Sequence, residues 1–280
     1  MRPAMTAAPT LSRSCDELTI PSHLSFLAPS VIDGLMRVGK VNDGGYVVPT
    51  SSIKAADFLI SLGVSDDWSF EENFKRLNPG VQIHAYDHTI SKELFRASVI
   101  RGFMKMLLGK TSLDDVSRRY SLLASYKSFF AGPVKHFKMR VKNELSLRND
   151  VTLEKAFQLA MSDKVFLKID IEGAEYKIID DLAKHADKVV GMAIEFHDTS
   201  SLRTEFVAAM KTLQEQFEVV HLHANNFGPI GLDDLPEALE ITFVRKSQCS
   251  AHDKRLNLPV PVIDSPNNPR ASDYQIRFAS

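Results

Sequence analysis

Short apolar runs alternate with segments of helical periodicity from about residue 36 to residue 246, the pattern of an α/β domain. MRVGK and YVVP flank Asn42-Asp43-Gly44-Gly45, residues that tolerate tight-turn backbone, so Met36 to Pro49 reads as a hairpin. DFLISLG supplies the first core strand. Ser69 to Glu72 has the form of a capping box opening the helix FEENFKRL, and Asn78-Pro79-Gly80 stops it before the strand VQIHAYD. Further on, HFKMRV reads as a short strand, VTLEKAFQLAM and AEYKIIDDLAK as helices, and VFLKIDI, VVGMAIEFHD, FEVVHLHANN and EALEITFVRK as strands. NNFGPIGLDDLP, between the last two, is too short for a helical crossover, so those strands are expected to pair antiparallel. The prediction is a Rossmann-like, mostly parallel sheet with one reversed strand and helices on both faces.

Three segments fall outside that rhythm. Residues 1–35 form an N-terminal arm, and 247–280 a C-terminal one whose Pro259, Pro261, Pro266 and Pro269 predict an extended strap around the domain or toward a partner. About 92–132 is a helical insertion with Phe95, Val99, Phe103, Met106 and Leu107 expected on one face. Charge changes how this insertion reads: Lys92 to Lys142 holds twelve Lys or Arg against three acids, whereas the whole chain is at -1. An anionic membrane face or a phosphate-bearing substrate is a candidate partner for the excess, beside the plainer roles of lid or homo-oligomer contact. The near-neutral total makes nucleic acid a weak expectation. No stretch reaches the length of a membrane span and the N-terminus lacks a signal-like apolar run, so a cytoplasmic protein is expected, with room for contact at the inner membrane face. Cys15 and Cys249, near opposite ends, are expected to be reduced thiols.

The chemistry concentrates in VFLKIDIEGAEY. An apolar strand there ends in Asp170 and Glu172, and ligands of open parallel sheets collect outside the carboxyl ends of strands. Helix capping by either acid is the plainer alternative. Side chains alternate along VVGMAIEFHD, so Glu195 and His197 share a face at its carboxyl end, and His221 and His223 do likewise one strand later. Asp170, Glu195 and His197 are thus expected to converge, as a hard set for Mg2+ or Mn2+ or, without metal, with His197 as general base beside an orienting carboxylate. Glu172 orients substrate or caps its helix, and His223, with Asn225 and Asn226, is a candidate substrate contact.

The loop after the first core strand bears on the ligand. Gly63 lets a backbone approach, and Asp87, closing the next strand, is placed to accept ribose hydroxyls. LGVSDDWSFEE lacks G-x-G-x-x-G and puts Asp66, Asp67, Glu71 and Glu72 where a pyrophosphate would be cradled, so like charges are expected to repel it. S-adenosylmethionine, cationic and free of phosphate, suits such a loop.

LKIDIEGAEY, preceded by VTLEKAF, resembles the signature of the FkbM-type S-adenosylmethionine-dependent methyltransferases. NDGGYVV, SLGVSDDWSFE, HLHANN and LPEALEITFVRK are similar to segments of bacterial members, so the resemblance spans about Arg37 to Lys246. It implies a class I methyltransferase sheet of seven strands with the last reversed, and O-methylation of sugar, glycolipid or secondary-metabolite hydroxyls. It places Gly63, Ser65 and Asp87 in the donor site, with Asp43, Gly44 and Gly45 near it or serving only their turn. The chain departs from the general pattern where the usual D-x-G-x-G is reduced to Ser61-Leu62-Gly63, and in its basic insertion. Two alternatives stay open: a nucleic-acid methyltransferase, although neither N-P-P-Y nor a Pro-Cys nucleophile is present, and a non-catalytic S-adenosylmethionine-binding protein.

Overall fold

A computed structural model of the chain describes residues 17–144, 147–249 and 253–279. Cys15 and the rest of residues 1–16 of the predicted N-terminal arm therefore lie outside the described residues. In chain order the regular elements are β1 (Glu17–Ile20), β2 (Leu35–Val38), β3 (Tyr46–Pro49), α1 (Thr50–Ala55), β4 (Phe58–Leu62), α2 (Ser69–Leu77) and β5 (Gln82–Tyr86). Then come α3 (Lys92–Leu107), α4 (Leu113–Phe129), β6 (Val134–Phe137), β7 (Arg140–Val141), β8 (Asp150–Val151), α5 (Leu153–Ala160) and β9 (Val165–Ile169). The chain closes with α6 (Ile179–Lys184), β10 (Val189–His197), α7 (Arg203–Gln214), β11 (Phe217–Ala224), β12 (Ala238–Arg245), β13 (Asn257–Leu258) and β14 (Gln275–Phe278).

The seven-stranded sheet has the order β11-β12-β10-β9-β4-β5-β6. Every neighbouring pair is parallel except the two made by β12, which lies antiparallel between β10 and β11. This is the Rossmann-like, class I methyltransferase arrangement expected, and its cause is legible in residue type. Every side chain of β4 and β9 is buried, as strands covered by helices on both faces require. The strand order reverses between β4 and β9, so a crevice opens where their carboxyl ends diverge.

Three details differ from the expectation. Ser69 does not cap α2: it sits inside the helix, its N–H donates to Asp67 Oδ1 (3.1 Å), and its hydroxyl accepts from Lys40 N (3.2 Å). The acid two residues upstream has taken the capping role. HFKMRV makes not one strand but two, β6 and β7, broken at Lys138–Met139. The insertion is a helical hairpin whose first helix does not gather its apolar residues on one face. Phe95 turns in, while Phe103 and Leu107 turn out to solvent.

The C-terminal segment folds back on the domain. β14 pairs with β1 in parallel and with β13 antiparallel, tying the two ends into a small three-stranded sheet. Between them, Asp264 pairs with His221 (3.0 Å), Asp273 with His223 (3.0 Å), and Asn226 Nδ2 donates to the Ser272 carbonyl (3.0 Å).

Candidate active site

The strand ends of β4, β9 and β10 meet at the crevice, and their turns share one conformational signature. Ser65, Glu172 and Asp198, one after each strand, all hold positive φ (52°, 55° and 55°) without being glycine. Such backbone persists only where the surroundings impose it, and it clusters at functional sites. Gly63 (φ 74°) and Gly173 (φ 85°) complete the first two turns.

A pocket of about 220 Å³ lies here, with Gly63, Ser65, Asp87, Asp170, Glu172 and Arg140 on its walls. Asp87 sits at the end of β5, yet its carboxylate is already engaged. Oδ2 accepts from Val64 N (2.9 Å) and Ser65 N (2.7 Å), and Oδ1 accepts from Thr89 N (2.6 Å) and Thr89 Oγ1 (2.5 Å). Burial would raise its pKa, but these bonds outweigh burial and lower it. Asp87 thus shapes the Gly63 loop first, and a ribose would have to exchange for some of these donors.

The expected acidic lining is not what the loop provides. Glu71 is buried beneath it and accepts from the Ser61 hydroxyl, Glu72 accepts from Trp68 Nε1 (3.1 Å), and Asp67 pairs with Lys40 (2.8 Å). Because α2 begins immediately after the loop, its first turn rotates these acids toward other partners. The carboxylates that do line the pocket, Asp87, Asp170 and Glu172, face Arg140, Lys142 and Lys177, so the cleft is mixed in charge rather than negative.

Behind it lies a connected polar cluster. Lys168, buried in β9, donates to the Gly63 carbonyl and to Asp170 Oδ2 (3.2 Å). Burial alone would lower the Lys168 pKa, but the charges of Asp170 and Glu71 more than compensate and raise it. Tyr46, from the N-terminal hairpin, donates its hydroxyl between Asp170 Oδ2 (3.2 Å) and Glu195 Oε2 (3.1 Å). Asn225 Nδ2 donates to the other Glu195 oxygen (2.8 Å). His197 Nδ1 meets the fully buried Glu175 (3.1 Å), while its Nε2 lies 3.6 Å from Glu172 and 3.9 Å from Glu195.

Glu175 is the hinge of this set. Its Oε1 also accepts from Ile171 N (3.0 Å) and Gly173 N (3.2 Å), so one carboxylate holds both the loop after β9 and the imidazole. Neither Asp170 nor Glu172 caps the following helical turn, which has no side-chain cap bond. Burial would depress the His197 pKa, yet the hydrogen bond to Glu175 and the charges of Glu195, Glu175 and Asp170 raise it to about 9. Glu195 is pushed up to about 8, first by burial and then by Asp170 and Glu240. The acids around His197 thus favour its charged form and shift it away from the near-neutral imidazole expected.

The structure brings Asp170, Glu172, Glu195 and His197 together as expected, but not as the predicted metal set. Among the described residues, donor atoms of Asp170, Glu172 and His197 lie within 4.8 Å of one another, while Glu195 is held away by Tyr46 and Asn225. Binding a divalent ion there would require His197 to give up its proton, since an imidazolium has no lone pair to offer. His223 lies elsewhere. It is two strands from Glu195, buried between Glu240 (3.3 Å) and Asp273 (3.0 Å), with both ring nitrogens engaged by acids. That removes it from substrate reach and makes it a fastener of the C-terminal arm. Asp43 is fixed by Asn267 (3.3 Å) and feels the charges of Glu240 and Asp170, and Gly44 and Gly45 pack against Asp67 and the Lys40 carbonyl in their turn; the three do not line the pocket.

Tyr46, Lys168 and Glu175 were not singled out from sequence. A lysine inside the otherwise apolar VFLKI carries a signal, because a buried cation demands buried acids. Tyr46 carries none, since its partners lie far along the chain.

No protein-family model matches the sequence, and no curated protein matches it. Among solved structures the fold is similar to the Methanococcus jannaschii fibrillarin pre-rRNA processing protein (10% identity, 70% of this chain and 69% of that one, TM-score 0.36). It is also similar to a precorrin-6y C5,15-methyltransferase from Geobacter metallireducens (14% identity, 70% and 86%, TM-score 0.33). A third is a 16S rRNA (adenine(1408)-N(1))-methyltransferase from Catenulisporales acidiphilia (9% identity, 79% and 99%, TM-score 0.31). At such identities and scores none of their activities transfers to this chain.

Proposed function

We propose that the chain is an S-adenosylmethionine-dependent methyltransferase that methylates a hydroxyl of a sugar, glycolipid or secondary metabolite, as the resemblance of its segments to FkbM-type enzymes implies. The observation that carries this reading is the juxtaposition of the switch-point pocket at Gly63, Asp87 and Asp170 with a proton-handling pair behind it, His197 and Glu195, which meets the pocket wall through Glu172. The sheet with its reversed strand supports it by analogy of fold. When bound, the donor supplies an electrophilic methyl group on a cationic sulfur.

The chain's own residues then have two tasks. Gly63 and Ser65 let the donor approach the backbone, and Asp170 and Glu172 set negative charge beside it. His197, oriented through Nδ1 by Glu175, presents Nε2 toward Glu172 on the pocket wall, where it takes the hydroxyl proton once it has lost its own. Hydroxyl attack therefore calls for alkaline conditions.

Calorimetric titration with S-adenosylhomocysteine tests the donor: saturable binding supports the reading. Binding of NAD or ATP in its place refutes it. His197→Gln that still binds S-adenosylhomocysteine but no longer turns over separates enzyme from passive binder.

A further inference from the structure

The hairpin of α3 and α4 is anchored at its root. There Phe95, Leu123 and Tyr126 pack with Trp68, whose ring meets Phe95 (6.0 Å), Tyr126 (5.8 Å) and Phe130 (5.5 Å) edge-on. Gly102 lets α4 approach closely, since a side chain there would strike Arg119. At a helical 100° per residue, Phe95, Gly102 and Met106 share the face of α3 turned toward α4.

On the opposite face a second apolar stripe is left exposed among the described residues. Ile100 (64% exposed), Phe103 (48%), Met104 (55%) and Leu107 (65%) fall within about a third of the helical circumference. Leu108 and Leu113 carry the stripe over the tip of the hairpin, both exposed. Isolated apolar residues on a surface mean little, but a contiguous stripe marks a binding face. No helix among the described residues is long and apolar enough to cross a membrane, so the stripe is not part of a span.

Charge decides what covers it. The hairpin, residues 92–129, carries eight Lys or Arg against three acids in a chain whose total is -1, so the rest of the molecule is acidic. Arg96, Arg101, Lys105 and Lys110 are exposed around the stripe. A second copy laid stripe to stripe would bring two cationic hairpins together and be repelled. A nucleic acid would satisfy the cations but leave the apolar stripe unserved. An anionic bilayer answers both, the stripe entering the acyl boundary and the cations meeting headgroups.

The geometry points to this hairpin tip as a docking element for an anionic lipid surface, independently of the reaction catalysed. Thr89 lies on the wall of both the 220 Å³ pocket and a groove of about 450 Å³ at the hairpin root.

The test is co-sedimentation of the full chain with phosphatidylcholine vesicles, with and without phosphatidylglycerol. Retention is expected only with phosphatidylglycerol, falling as salt is raised. Replacing Arg101 or Lys105 by Gln should weaken partition about fivefold each, since a cation near the surface contributes about 1 kcal/mol. Ile100→Ser with Leu107→Ser should abolish retention while leaving thermal unfolding unchanged, because both side chains are already in water. Equal retention on neutral vesicles, or none on either, overturns the proposal. So does a dimer in sedimentation velocity that the serine variant dissolves, or RNA binding without vesicle binding.

Discussion

Gly63 and Asp170 touch through their backbones: a Cβ on Gly63 would overlap the Asp170 carbonyl oxygen, and Asp170 N–H donates to Leu62 O (2.9 Å). The two strand ends that frame the pocket are thus packed at a separation only glycine permits, and Gly63 also holds φ at 74°. Gly63→Ala must push the β4 and β9 turns apart and force a side chain into left-handed backbone, which costs about 1–2 kcal/mol before any clash is counted. A loss of about 3 kcal/mol or more in urea unfolding is expected, together with loss of S-adenosylhomocysteine binding. A variant of wild-type stability would show that the contact is not close.

Lys168 holds the same junction from below. Bonded to the Gly63 carbonyl and Asp170, and attracted to Glu71, it is a buried cation between the buried Glu71 and the half-buried Asp170. Removing one member of such a set leaves the others unpaired, at about 3–5 kcal/mol. Lys168→Met should lose that much, and adding Glu71→Gln should recover part of it, because one stranded acid is then neutral. A strictly additive double-mutant cycle would count against the coupling.

Which of these relationships the sequence discloses follows from how far apart the partners lie. The strands declare themselves through local pattern: VFLKI is buried throughout, and the short link before β12 forces the antiparallel pairing. Asp170, Glu195 and His197 are legible because strand ends and alternation are local properties. The partners that set their chemistry are not. Tyr46 reaches Glu195 across 149 positions, and Asp273 reaches His223 across 50. The acids of the first loop were misplaced for a related reason, since the start of α2 decides where they point. In α3 periodicity alone could not tell the covered apolar face from the uncovered one.

The alkaline poise of His197 yields a pH signature. Burial lowers its pKa, but Glu175, Glu195 and Asp170 raise it to about 9, so the rising limb of kcat/KM should lie near there rather than near pH 6.5. Glu175→Gln removes a raising charge, so the imidazole loses its proton at lower pH and the limb moves about one unit toward acid. A profile unmoved by this change would dissociate His197 from the proton transfer.

The C-terminal arm should be released by alkali, because His223 fastens it. Burial disfavours the His223 cation, but its hydrogen bonds to Asp273 and Glu240 prevail and raise its pKa to about 10. A group whose pKa is raised on folding contributes stability that is complete below its unfolded pKa, about 6.5, and lost as pH climbs through the folded one. The arm's attachment should therefore be firm at pH 6 and weaken progressively toward pH 10. Asp273→Asn takes away the first-named raising partner, so the window narrows and release begins at lower pH. Limited proteolysis reads this directly, since cleavage at the partly buried Asp273 and Tyr274 requires the strap to lift. Cleavage should accelerate with pH in the wild-type chain, and in Asp273→Asn already be fast near neutrality. The candidate active site should respond only indirectly, because Glu240 links His223 to Glu195 across adjacent strands. Cleavage independent of pH in both proteins would mean that the arm is held by β14 and its pairing with β1 alone.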